Sequence, residues 1–266
     1  MIDWKKHAKA YDILAVDDEQ VIIDSVKKLS AFEDWKVDTA KQAEDALDKV
    51  RSNTYRLIIC DIMMPEIDGF QFLDELKKHH HAIPVIMTTG YSTVENAVKS
   101  LTKGAIDFLP KPFTVDELIS TVIRGLKFGQ LEFGHAGHSS TEIVVPCPSG
   151  HYHLGYSSWS KLDDDGSVRI GCTDLFLKTL DSIDHVHLWD LESDIIQGNT
   201  CAHIDSEDEI SHNLLAPVTG RIIERNENLI DNIELIEKDP YFEGWLYRVI
   251  PSNLDYEYKY LSPCND

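Results

Sequence analysis

Leu57-Ile58-Ile59-Cys60-Asp61 runs directly into Ile62-Met63-Met64-Pro65-Glu66-Ile67-Asp68-Gly69. Four apolar residues ending at a carboxylate read as a parallel strand covered on both faces, and Asp68-Gly69 reads as a turn and helix start. Outward from this stretch the pattern repeats. Apolar runs at Ile13 to Val16, Val85 to Thr88 and Ile106 to Leu109 alternate with stretches of helical period at Val21 to Ala31, Ala40 to Ser52, Gly69 to His79, Ser92 to Thr102 and Val115 to Lys127. Lys36, Val37 and Asp38 supply one more short strand. Five βα units of this kind predict a doubly wound α/β fold with a five-stranded parallel sheet in the flavodoxin-like order 2-1-3-4-5, whose ligands sit at the carboxyl ends of the strands.

In that order strands one and three are neighbours, so Asp17-Asp18-Glu19 and Asp61 converge at one edge of the sheet. Carboxylates so close repel each other and need a cation; an all-oxygen set suits Mg²⁺. Thr89, at the end of the fourth strand, can reach a bound phosphoryl group with its hydroxyl, and the Lys111 ammonium can neutralise the same oxygens. A carboxylate nucleophile, cations and a hydroxyl together make a phosphoryl-transfer site.

Asp17-Asp18, the Asp61 to Gly69 segment, Thr89-Gly90 and Gly-Ala-Ile-Asp-Phe-Leu-Pro-Lys-Pro-Phe (104–113) resemble the receiver domain of two-component response regulators. The resemblance covers residues 11–128. It implies that Asp61 accepts the phosphoryl group, that Asp18 ligates Mg²⁺ directly with Asp17 acting through water, and that the Met63 carbonyl completes the protein share of the shell. It further implies that Thr89 and Lys111 contact the phosphoryl group, that Phe108 is the switch aromatic, that the Lys111-Pro112 bond is cis, and that a histidine kinase is the donor. Phosphorylation adds about 1.5 to 2 negative charges; Thr89 moves towards them, Phe108 turns inward, and the face formed by residues 92–127 changes. A homodimer through that face is one possible consequence. His79-His80-His81, at a helix end, is expected to be a solvated terminal turn rather than a metal site.

After Phe128 the helical period stops. Residues 129–141, rich in Gly, Ser and His, are expected to be a linker to a second domain over 142–266. Here short β-type segments are separated by turns such as Asp163-Asp164-Asp165-Gly166, with one helix candidate near Thr173 to Thr179, which predicts a mainly β sandwich or barrel. Val168 to Asp174, Ala216 to Ile222, Asn226 to Leu229 and Lys238 to Leu246 resemble the H protein of the glycine cleavage system, a lipoyl-carrier fold. The resemblance implies a lipoyl lysine on the hairpin before Pro217-Val218-Thr219-Gly220. Counting back from Ala216 puts Glu209 at that position, and no lysine occurs between Lys178 and Lys238. A carboxylate cannot form the lipoyl amide, so the fold is expected without its swinging arm. Asp205, Glu207, Asp208 and Glu209 leave an acidic hairpin, a solvated tip or a docking surface for a basic partner.

Composition bounds the alternatives. The 25 basic and 46 acidic side chains give a net charge of -21, and residues 131–266 carry 8 against 25, so a phosphate backbone is repelled and a DNA-binding output is disfavoured. No apolar run approaches the ~18 residues of a membrane span, and the N-terminal MIDWKKHAKAYD lacks the apolar core of a signal peptide. Five cysteines with no CxxC pair suggest no disulfide framework, and a cytoplasmic location is expected. His151 with His153, His185 with His187, and Cys201 with His203 recur at period two; six such residues could bind Zn²⁺, although ordinary strand residues are the expected reading. Enzyme activity is expected to go no further than self-phosphorylation and slow dephosphorylation. The rival role, a regulator or accessory of glycine cleavage or lipoate-linked metabolism, is weakened by the absent lysine.

Overall fold

The computed structural model describes residues 9–79, 82–91, 93–133 and 143–264, and the chain divides into two compact units. Residues 10–133 alternate β1 (Ala10–Val16), α1 (Gln20–Ser30), β2 (Val37–Ala40), α2 (Ala43–Ser52), β3 (Thr54–Asp61), α3 (Gly69–Lys78), β4 (Val85–Thr89), α4 (Val94–Thr102), β5 (Asp107–Pro110) and α5 (Val115–Phe133). The five strands form one parallel sheet in the order β2-β1-β3-β4-β5. Its central strands carry unbroken apolar runs because helices cover both faces. Ile13, Leu14, Leu57, Ile58 and Met87 have no exposed surface, and each such side chain contributes about 1.5–3 kcal/mol on burial.

Local chemistry sets the entry to α3. Asp68 caps the helix by accepting from the Gln71 amide, and the Gln71 side chain accepts from the Asp68 amide in return, a reciprocal capping box. A Cβ on Gly69 would lie 2.2 Å from the Asp61 carbonyl oxygen, so only glycine lets the helix start this close to the end of β3. α5 runs to Phe133, five residues into the stretch read as linker. The rest of that stretch, residues 134–141, lies outside the described residues, as do His80 and His81. His79 is the C-cap of α3.

The second unit is mainly antiparallel, as its turn spacing predicts. Its strands are β6 (Tyr152–Leu154), β7 (Ser158–Leu162), β8 (Val168–Cys172), β9 (Ile183–Leu188), β10 (Asp194–Ile195), β11 (Thr200–Ser206), β12 (Ser211–Leu215), β13 (Gly220–Arg225), β14 (Trp245–Pro251) and β15 (Ser262–Pro263). Seven form a sheet in the order β10-β13-β14-β8-β7-β6-β15, and three form a second in the order β12-β11-β9. The helix candidate near 173 is a short helix at Asp174–Lys178 capped by Thr173, whose hydroxyl accepts from the Phe176 amide.

Trp159 and Tyr247 are the largest fully buried side chains. Trp159 lies opposite Gly171, where a Cβ would approach the indole to 2.7 Å, and its Nε1 donates to the Pro240 carbonyl. Tyr247 donates to the Cys201 carbonyl and accepts from the Trp189 amide, which satisfies a buried hydroxyl. Asn226 Nδ2 donates to the carbonyls of Glu243 and Trp245. These contacts give physical work to Gly171, Asn226 and the Lys238 to Leu246 segment.

Two expectations need correction. Cys147 and Cys264 form a disulfide across 117 residues, with Cα atoms 5.4 Å apart; β15 pairs with β6, and the Cys264 amide donates to the His151 carbonyl, which brings the ends together. Cys60, Cys172 and Cys201 are buried free thiols. The period-two grouping of Cys201 with His203 also fails: pairing shifts register between Thr200 and Ala202, a β-bulge that turns Cys201 fully inward while His203 stays half-buried on the outer side.

Candidate functional site

The receiver-like constellation assembles at the carboxyl ends of β1, β3, β4 and β5. Asp17 follows β1, Asp61 ends β3, Thr89 ends β4, and Lys111 follows β5. Parallel pairing of β1 with both β2 and β3 places Val16 beside Cys60, so the two acidic segments leave the sheet side by side. Asp17 and Asp61 are buried and Asp18 is exposed, with ligand oxygens of all three within 4.8 Å of one another. Among the described residues this is the one group of three acidic, histidine or cysteine side chains so close.

Lys111 sits in the middle. Its Nζ lies 2.6 Å from Asp17 Oδ2, 3.3 Å from Asp61 Oδ1 and 3.6 Å from Glu19 Oε1. The Lys111-Pro112 peptide bond is cis. The Glu19 amide donates to Asp17 Oδ1, so Glu19 both orients the pocket and adds charge to it. The sequence places Glu19 in the converging acidic group but gives it no separate part as a ligand or phosphoryl contact.

The electrostatics leave the carboxylates under-compensated. Burial pushes the Asp61 carboxyl up; the Lys111 ammonium and the Met63 backbone pull it down without cancelling that push. Asp17 is likewise raised, chiefly by burial and against its hydrogen bond from Lys111. For Lys111 burial works downward, but Asp17 and Asp61 outweigh it and hold the ammonium above the usual lysine range. Asp61 Oδ1 is buried and makes no hydrogen bond. A buried carboxylate oxygen that has an ion-pair contact to Lys111 but no hydrogen bond, beside two further carboxylates, fits a hard divalent cation, and Mg²⁺ accepts this all-oxygen donor set.

The other expected residues occupy the same end of the sheet. Thr89 is fully buried, and its Oγ1 accepts from the Tyr91 amide, which leaves the hydroxyl proton free to donate to a bound oxyanion. Met63 is exposed in the loop after Asp61. Phe108 is buried on β5 beside Met87 of β4. Glu209 is elsewhere, in the second unit, at the β11–β12 turn with a left-handed φ of 63°, where its amide donates to the Ser206 carbonyl.

Known proteins align with both halves of this chain. The family model for the response regulator receiver domain matches residues 13–123, and that for the glycine cleavage H-protein matches residues 151–264. A transcriptional regulatory protein, ZraR of Escherichia coli O157:H7, is 34% identical over 155 residues, covering 52% of this chain and 35% of ZraR. The chain spans about a third of the length of that curated relative. The crystal structure of the NtrX receiver domain from Brucella abortus is 40% identical over 43% of this chain and 98% of its own, with a TM-score of 0.42. A glycine cleavage system H protein from Mycobacterium marinum is 29% identical over 40% of this chain and 86% of its own, with a TM-score of 0.37. Residues 13–123 therefore belong to the response regulator receiver family and residues 151–264 to the glycine cleavage H-protein family.

Proposed function

We propose that the protein is a response regulator in which Asp61 accepts a phosphoryl group from a sensor histidine kinase and the H-protein-like domain delivers the output through protein contacts. The observation that carries this reading is the buried Asp61 carboxylate, beside Asp17 and Asp18 and 3.3 Å from the Lys111 ammonium at the end of the sheet. Asp17, Asp18 and Asp61 would hold Mg²⁺, which would supply charge neutralisation for the phosphoryl oxygens. A carboxylate oxygen of Asp61 attacks phosphorus; the new P–O bond forms as the P–N bond of the kinase phosphohistidine breaks, and the imidazole leaves with the bonding pair. Lys111 balances charge on the transferred group, and Thr89 donates its hydroxyl to it. Thr89 and Phe108 then couple the added charge to the 92–127 face. Water attacking phosphorus then breaks the P–O bond to Asp61, which releases inorganic phosphate and returns Asp61 to its carboxylate.

The second domain acts in this scheme as a binding module. Glu209 occupies the hairpin turn from which a carrier would present its lysine, and no lysine lies between residues 178 and 238 to accept lipoate. Capture from native lysate, comparing protein activated with beryllofluoride and Mg²⁺ against Asp61→Asn, tests the scheme. A partner held only by the activated form supports it. Equal capture by both forms, together with lipoate found on the intact chain by mass spectrometry, overturns it in favour of a lipoate-linked role.

A further inference from the structure

We infer that His185, His187, His203 and Asp205 form a binding site for a divalent transition-metal ion of the Zn²⁺ class, on the outer face of the three-stranded sheet. The site goes beyond the proposed phosphorylation switch and shares no residue with it.

The inference rests on register. β9 and β11 pair antiparallel so that His187 stands directly opposite His203, and His185 directly opposite Asp205. Directly opposed side chains in such a pair have Cβ atoms about 4.5–5.5 Å apart, and diagonal neighbours about 7–8 Å. Four donors thus occupy two adjacent rows of one sheet face. β12 extends both rows with polar residues, Asn213 opposite His203 and Ser211 opposite Asp205. The alternate positions, Ala202, Ile204, His212 and Leu214, are buried on the other face. The bulge at Thr200 to Ala202 matters here, because it sends Cys201 into the core and leaves an imidazole and carboxylate surface without a thiol.

The donors are already partly gathered. His187 Nε2 lies 2.7 Å from Asp205 Oδ2, and the His185 and His187 rings are 4.4 Å apart between centroids. His203 rests against Trp189 at 5.1 Å. Rotation about the side-chain torsions of His185 and His203 brings their nitrogens towards the His187 and Asp205 pair, while the paired strands hold the backbone in place. His187 is half exposed, so its ring can turn from the carboxylate to a metal without disturbing the core. Glu207, Asp208 and Glu209 on the same hairpin add a negative field that draws in cations.

The chemistry separates this site from the one at Asp61. Three imidazoles and one carboxylate make a four-donor set that suits Zn²⁺ and neighbouring transition metals, whereas the oxygen-only set of Asp17, Asp18 and Asp61 suits Mg²⁺. Two sites of different hardness can therefore be loaded independently.

The test uses the full chain, stripped with chelator and kept in excess Mg²⁺. Zn²⁺ affinity is read by competition with a chromophoric chelator, and Co²⁺ by its visible absorption. Wild type and Asp61→Asn are expected to bind one ion per chain with equal affinity. His187→Asn and His203→Asn are expected to weaken binding by more than about tenfold, the loss already seen when only a partner of a ligand is removed. As a readout free of any variant, Zn²⁺ is expected to slow carbethoxylation of His185 and His187, followed by peptide mass spectrometry. No ion bound by wild type, unchanged affinity in both histidine variants, or equal modification rates with and without Zn²⁺ would each overturn the inference.

Discussion

Replacing Asp61 by asparagine should stabilise the receiver domain when no divalent cation is present, and the structure sets the size of the effect. Lys111 Nζ lies 3.3 Å from Asp61 Oδ1, an attraction of about 5 kcal/mol at an effective dielectric of about 20. Asp17 repels the same carboxylate from within 4.8 Å, at least about 3.5 kcal/mol on the same scale. Asp18 is exposed and solvent cuts its share to about 1 kcal/mol. These terms nearly cancel, so the sign falls to burial, the largest influence on Asp61 and one that disfavours its charge. The neutral amide escapes that cost, and the expected gain is on the order of 1–2 kcal/mol, or a few degrees in the receiver transition. Because the folded carboxyl is raised above its ordinary value, the wild-type penalty is complete above the folded pKa. It fades as pH falls through that pKa towards 3.8. The gap between variant and wild type should therefore be full at pH 7 and narrow in acid. Mg²⁺ should reverse the order by stabilising wild type more than the variant. Thermal melts of both proteins, with and without Mg²⁺, check each step. A variant that melts below wild type in EDTA, or an equal gain from Mg²⁺ in both, would refute the reasoning.

Three further outcomes follow from particular contacts. Gly69→Ala should cost about 1–3 kcal/mol, because its Cβ meets the Asp61 carbonyl oxygen, a backbone atom that cannot step aside; denaturant titration should show this together with slower phosphoryl uptake. His151 is buried among Trp159, Tyr241 and Phe242 with neither ring nitrogen hydrogen-bonded, and burial pushes its imidazole down. The second domain should therefore lose stability as pH falls below about 6.5, and His151→Phe should flatten that dependence in melts between pH 7.5 and 5.5. Cys147→Ser removes a crosslink spanning 117 residues, worth at most about 4–5 kcal/mol; the variant should melt below wild type in oxidising buffer and alongside it in strong reductant.

The receiver half was legible because two periodicities and four strand ends speak together. Apolar runs at 13–16, 57–60 and 85–88 mark buried parallel strands, and the sheet order that follows brings Asp17, Asp61, Thr89 and Lys111 to one end. What stayed hidden depends on contacts distant in sequence. Nothing in the spacing of five cysteines pairs Cys147 with Cys264; that needs β6 and β15 to meet. Glycine at 69 or 171 reads as a turn or a weak spot in a strand until the Asp61 carbonyl and the Trp159 ring are seen at their Cβ positions. Counting by twos put Cys201 beside His203, and a single bulge separated them. The same counting kept His185 with His187, because β9 runs without a bulge between them. The end of α5 was missed by six residues from Lys127 to Phe133, since Gly129 and Gln130 read as a break in a helix that in fact continues through them.

The central claim is that Asp61 is the phosphoryl acceptor. Its most direct test is intact-mass analysis after incubation with a small-molecule phosphodonor and Mg²⁺, followed by trapping and mapping of the acyl phosphate. The account predicts up to one phosphoryl group per wild-type chain, located on Asp61, with Asp61→Asn and Mg²⁺-free samples unlabelled. Equal labelling of Asp61→Asn, or a label mapped to another residue, would contradict it.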